Sequence, residues 1–381
     1  MRAMTTTKTR SKNSSRLVGR ASVTVERSRK RKSLPPPSDR SDTVPAVRRP
    51  LLVLLVLAGV LALPAAASAT LVYGVQPSRG APSVWVANND GSGATRLATG
   101  YGGPTISPDG TTVAALRQTS SGGSALSVFP ATGGPGRRLL TNAGFATVSW
   151  SPDSSTIAAY SGHRLQIANV ATGAVATLAT GTFSGTAPSF SPLGDQIAYA
   201  RATSSRINAP SDVYTVPVAG GAPTRLTTDG LSLNPIWGPT QIAYSRGPHR
   251  RQDFPRLNIW LMNPDGSNQR QLTNVRVPTL VSGLAPLQWS ASGQQLLATF
   301  GGQDTDQAYA VNPNTGAARD LGARRFNGTA PAAISRDGTT VLAQTGGEEG
   351  PSSGQNVVSI PFTGGAATVL VRRASTPDWN A

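Results

Sequence analysis

The fold is decided by Trp150-Ser151-Pro152-Asp153-Ser154 and the strand that follows it, Thr156-Ile157-Ala158-Ala159-Tyr160-Ser161. One strand ends on a large aromatic, a tight turn reverses the chain, and an apolar strand leaves. Pro and Asp suit the central positions of a type I turn, and Gly commonly follows it. The opening returns as Ile106-Ser107-Pro108-Asp109-Gly110, Phe190-Ser191-Pro192-Leu193-Gly194 and Trp237-Gly238-Pro239. It returns again as Trp289-Ser290-Ala291-Ser292-Gly293 and Ile334-Ser335-Arg336-Asp337-Gly338. The copies are spaced by 40 to 52 residues.

Each turn is followed by three more expected strands. The second strands are expected over 112–117, 156–161, 196–201, 241–246, 295–300 and 340–345. Third strands follow from 125, 164, 212, 258, 307 and 356, and fourth strands from 137, 176, 224, 270, 318 and 367. Four short strands at this period describe a propeller blade. The ends complete one another. Residues 71–75, 83–89 and 95–99 match strands two to four, and Thr376-Pro377-Asp378-Trp379 matches a first strand. The expected fold is therefore all-β: a seven-bladed β-propeller of four-stranded antiparallel blades. Its ring is expected to close where the C-terminal strand pairs with the N-terminal three, which removes two free edges. The six tryptophans all fall on first or third strands, where packing between sheets is their expected role.

Three segments are expected. Residues 1–49 hold 14 basic and 3 acidic side chains, with few apolar residues, and read as a disordered basic leader. Residues 50–69 read as a signal peptide or single membrane anchor. Arg48-Arg49 precede thirteen apolar residues, Leu51 to Leu63, and small residues follow. Cleavage is expected between Ala69 and Thr70, with Ala67 and Ala69 in the small-residue positions. Residues 70–381 form the propeller, placed outside the cytoplasm because the positive flank stays inside. The net charge of +17 thus belongs mostly to the leader. The body carries 21 Arg against 15 carboxylates, and nucleic acid is not an expected partner.

The repeat resembles the TolB-like propeller repeat, a bacterial relative of the WD repeat. The resemblance rests on the W-S-P-D opening, on Ile197-Ala198-Tyr199 and Ile242-Ala243-Tyr244, and on Ile259-Trp260 with Asp265-Gly266-Ser267 and Leu272-Thr273. It covers residues 71–379 and implies the fold rather than a function, because such blades serve many roles. TolB itself carries an α/β domain and six blades, so the seven sets expected here depart from it. Similar propellers precede α/β-hydrolase domains in prolyl-oligopeptidase-like enzymes, and no such domain is expected here.

Catalytic chemistry is not expected. There is no Cys, and the two histidines, His163 and His249, lie 86 residues apart. Gly350-Pro351-Ser352-Ser353-Gly354 matches a nucleophile elbow, but it lies in a loop with no later His. Asp304 and Asp306 have no third acidic neighbour, so no metal and no cofactor are expected. The loops say more. Connections between strands one and two and between three and four are short and share one face. Connections between strands two and three, and between blades, are long and irregular and share the other. That face gathers His249, Arg250, Arg251, Phe254, Arg256, Arg276, Arg324 and Arg325, a candidate site for an acidic protein patch or an anionic cell-envelope ligand. The expected protein is a monomeric, exported, non-enzymatic binding scaffold, in contact with membrane only through residues 50–69 if these stay uncleaved. Two alternatives are a carbohydrate-active propeller enzyme with a channel-centred site and the ectodomain of a membrane-anchored sensor.

Overall fold

A computed structural model describes residues 70–380 apart from 121–122, 142, 207–208, 249–255, 279–280, 302–305, 323–327 and 347–353. The expected leader and the apolar segment with Ala67 and Ala69 lie outside the described residues. Among the described residues no helix is long and apolar enough to cross a membrane.

The described elements are strands, paired antiparallel in chain order. Sheet 2 takes Gly102–Ile106, Thr112–Gln118, Ser124–Pro130 and Arg137–Thr141. Sheet 3 takes Ala143–Trp150, Thr156–Ser161, Arg164–Asn169 and Val175–Thr180. In sheet 4 the first strand is split into Thr182–Phe183 and Ser189–Phe190, both on Gln196–Ala202, and Ser211–Pro217 and Thr224–Arg225 follow. Sheet 5 is Ser232–Trp237, Ile242–Arg246, Asn258–Met262 and Arg270–Gln271. The strands from Gly283–Trp289 to Thr368–Arg372 form one continuous sheet. A single parallel pairing, Gln307 with Thr329, divides it into two antiparallel sets, treated below as sheets 6 and 7. In sheet 1 the C-terminal Ser375–Trp379 pairs with Thr70–Val75, which pairs with Ser83–Asn88, and Thr95–Thr99 completes the set. The expected junction of the chain ends is present, with Leu71 opposite Trp379.

Second strands are apolar throughout because both of their faces are covered. In sheet 3, Ile157 and Ala159 face a cluster shared with sheet 2, while Ala158 and Tyr160 face one shared with sheet 4. The same division recurs at each seam among the described residues, up to the cluster where Leu71 and Tyr73 of sheet 1 meet Leu342 and Val357 of sheet 7. Every tryptophan joins such a seam: Trp150, Trp237, Trp260, Trp289, Trp85 and Trp379. First strands contact first strands in consecutive order, and Ser375–Trp379 touches both Thr329–Ile334 and Gly102–Ile106.

The turn motif has a mechanical basis. Ser151 Oγ donates to Asp153 Oδ1 at 2.5 Å and accepts the Thr156 N–H at 2.9 Å. Ser335 and Asp337 repeat this, with Oγ to Oδ1 at 2.6 Å. The Ser151 hydroxyl, with the Ser155 N–H and hydroxyl, holds the Asp153 carboxyl below the usual carboxylate range. Where Leu193 replaces the turn Asp, Asp195 accepts from Ser191 Oγ at 2.6 Å instead.

Some elements are shorter or less continuous than their counterparts in the other sheets. The fourth strands of sheets 4 and 5 stop after two residues, because Thr227 and Thr273 leave the ladder to bond the start of the third strand. The first strand of sheet 4 is interrupted at 184–188, where the Thr186 N–H turns to the Asn234 side chain of sheet 5 at 2.9 Å.

Candidate functional site

Strand alternation puts the starts of the second-to-third and sheet-to-sheet connections on one face, and side-chain bonds fasten two of them at their bases. Asp212, buried at the start of a third strand, accepts from Thr227 Oγ1 at 3.0 Å, from the Gly230 N–H at 2.9 Å and from Arg225 Nη2 at 2.5 Å. Asn258 holds the equivalent place in sheet 5. Its Oδ1 accepts from Thr273 Oγ1 and the Val275 N–H, both at 2.8 Å. Thr227 and Thr273 in turn accept the N–H groups of Val213 and Ile259. Each pin thus fastens the connection leaving a fourth strand to the strand beside it. A second stitch joins neighbouring sheets: Leu257 N–H donates to Ser282 O at 2.7 Å, and Leu284 N–H donates to Leu257 O at 2.9 Å.

Charges on this face are partly paired. Arg246 lies with Nε 2.7 Å from Asp229 and with its guanidinium carbon 4.3 Å from the centre of the Trp260 ring. Arg117 sits 5.7 Å over the Tyr101 ring. The first strands are different. Among the described residues, Asp378 is the only carboxylate on a first strand. Its Oδ2 accepts from Thr105 Oγ1 at 2.8 Å and from the Ile106 N–H at 3.0 Å. The residue keeps some exposed surface, but its carboxylate is desolvated, which pushes the pKa up to about 6 against the pull of those hydrogen bonds. Equivalent bonds join other neighbours: the Trp237 N–H to Ser189 Oγ at 2.9 Å, and the Ile334 N–H to Gln288 Oε1 at 3.0 Å. Asp378 therefore links first strands. Among the described residues no three His, Cys, Asp or Glu side chains gather as metal ligands.

No family model and no curated protein matches the sequence. Solved structures do. TolB from Acinetobacter baumannii matches at 15% identity over 83% of this chain and 68% of that one, with a TM-score of 0.50. The β-propeller domain of the Trilobed protease from Pyrococcus furiosus matches at 14% identity over 80% of this chain and 95% of that one, with a TM-score of 0.58. The fold is a TolB-like β-propeller. An oligogalacturonate lyase in complex with manganese is similar as well, at 15% identity over 81% and 86% of the two chains and a TM-score of 0.53. Likeness at these identities speaks for the propeller fold alone.

Of the residues expected to form a site, Arg256 and Arg276 are described. Arg256 precedes Leu257 with a positive φ of 51°, and Arg276 follows Val275 and is exposed. The Asn258–Val275 bonds bring their two segments together. His249, Arg250, Arg251, Phe254, Arg324 and Arg325 lie outside the described residues, as do Asp304 and Ser353. His163 is exposed in the tight turn before Arg164. Thr70 opens its strand, and its N–H donates to Asn380 Oδ1 at 2.7 Å. Sequence reasoning did not find Asp378 as a link or Asp212 and Asn258 as pins. The recurrence of Asp or Asn fifteen residues before a Leu-Thr pair carried that second signal.

Proposed function

We propose that this protein is an exported, non-enzymatic, seven-bladed propeller that binds an envelope protein or an anionic envelope ligand through its long-loop face. The observation that carries this reading is the contrast between the faces. One consists of repeated turns whose Ser and Asp groups bond one another, and the other of long, dissimilar connections pinned at their bases by Asp212 and Asn258. A rigid frame with variable loops is the usual arrangement of a binding surface. The seven-blade count is supported by the consecutive seams and by the contact of Ser375–Trp379 with first strands on both sides. Export is supported by the apolar run after Arg48-Arg49 and by the small residues that follow it. The test is capture from envelope extract by the full chain and by R250A/R251A/R324A/R325A. Loss of a captured component with the variant supports the site; unchanged capture removes it. N-terminal sequencing of the exported protein separates a soluble product, starting at Thr70, from an anchored sensor that retains residues 1–69.

A second reading, a carbohydrate-active enzyme, is favoured by the likeness to the manganese-bound lyase. Release of unsaturated products from an anionic polysaccharide by the purified chain would replace the first reading with this one.

A further inference from the structure

The long-loop face is not uniformly charged. In sheets 5 to 7 the sequence places carboxylates among and beside the expected arginines: Asp253 shares a connection with Arg250, Arg251 and Arg256, and Asp304, Asp306, Glu348 and Glu349 fall in or beside the connections between second and third strands. In sheets 1 to 4 the balance differs. Arg79, Arg117, Arg164, Arg201 and Arg206 all lie on or beside connections between second and third strands, and all are exposed. Residues 70–228 hold five carboxylates. Asp90, Asp109, Asp153 and Asp195 sit in short turns on the opposite face, and Asp212 is buried under Arg225, Thr227 and Gly230. This half of the face therefore presents arginine with no exposed carboxylate beside it.

Resting on the binding role above, we propose that the long-loop face of sheets 1 to 4 binds a linear, hydrophilic polyanion, and that this sector outweighs the arginines of sheets 5 to 7. Three observations select that occupant. The arginines are dealt out across successive sheets, so they present an arc of charge to an extended chain rather than a pocket for a small anion. Arg117 and Arg201 stand at the ends of paired strands, so little side-chain positioning is left to loop motion. The exposed large apolar side chains among the described residues are Val175, on a fourth strand, and Leu193, in a short turn. The basic arc thus lacks the apolar anchors on which folded-protein interfaces depend. Guanidinium groups bind carboxylate and phosphate alike, so both polymer chemistries fit.

Binding of the full chain to fluorescent alginate, polyphosphate and neutral dextran tests the proposal. The wild type is expected to bind at least one charged polymer and not dextran, with affinity falling about tenfold or more between 50 and 200 mM salt, as charge-driven polyelectrolyte binding does. R117A/R164A/R201A/R206A is expected to lose about tenfold or more, with its thermal midpoint unchanged because all four side chains are exposed. R250A/R251A/R324A/R325A is expected to lose affinity as well, but by a smaller factor than the first variant, since carboxylates lie in the same and in neighbouring connections of that half. Preference for alginate or polyphosphate tells carboxylate from phosphate recognition. Three results overturn the proposal: no binding to either charged polymer, equal binding by the first variant and wild type, or loss confined to the second variant. The last leaves the long-loop binding role standing. If neither variant alters capture of any envelope component, that role itself fails.

Discussion

Asp378 shows how one side chain couples ring closure to pH. Burial pushes its pKa up to about 6, from an unfolded value near 3.8. The folded state therefore holds this proton more tightly than the unfolded chain. The stabilisation is fully present below pH 3.8 and is lost as pH rises through 6, a change on the order of 2–3 kcal/mol. Asp153 and Asp337 act in the opposite sense: their carboxyls are held low, so their contribution is present above the unfolded pKa and is lost as pH falls below it. Asp378→Asn is expected to flatten the fall in thermal midpoint between pH 4 and 7; an unchanged profile would show that another group titrates there. Ser151 supplies a second residue-scale prediction. Buried, it both donates and accepts, so Ser151→Ala should cost about 1–2 kcal/mol in urea unfolding. Leu193→Asp should change little, because Asp195 already bonds Ser191.

At the scale of elements, the hairpin between third and fourth strands also fastens sheets 5 and 6 to the sheet before them. A Cβ on Gly316 would run into the Leu272 backbone carbonyl of sheet 5, and one on Gly266 would approach Leu226 of sheet 4. Gly133, in sheet 2, shares the positive φ but has open space around it. Gly133→Ala should therefore cost only about 1 kcal/mol for the backbone, while Gly316→Ala should cost clearly more, roughly 3 kcal/mol. Equal losses in chemical unfolding would mean that the hairpin contact carries no weight. These elements also show what was legible in the sequence. Second strands could be placed within a residue, as at Thr156–Ser161, because apolar runs and turn residues are local signals. The fourth strands of sheets 4 and 5 could not. They end where Thr227 and Thr273 bond residues 15 positions earlier, a choice made between strands. The candidate site was legible only as a face. Strand alternation assigns Arg276 and Arg117 to one side, but local pattern does not say which carboxylates accompany each.

Over the whole molecule, the chain ends have unequal weight. Removing residues 1–69 takes away a basic stretch with few apolar residues and the expected signal or anchor, and leaves the strand Thr70–Val75 whole. Removing residues 375–381 takes away the strand that completes sheet 1. Trp379 leaves the seam with sheet 7, Asp378 leaves Ile106, and Leu71 and Val72 lose their partners on that side. The Trp379 loss alone should amount to about 3 kcal/mol. At roughly 2–4 °C per kcal/mol for a domain of this size, the thermal midpoint should fall by about 10 °C or more. A chain starting at Thr70 should melt within about 1 °C of the full chain. Scanning calorimetry on both truncations compares them directly. A small loss on C-terminal truncation would mean that seven independent sheets, rather than a closed set, carry the stability. A large loss on N-terminal truncation would mean that the leader packs on the body.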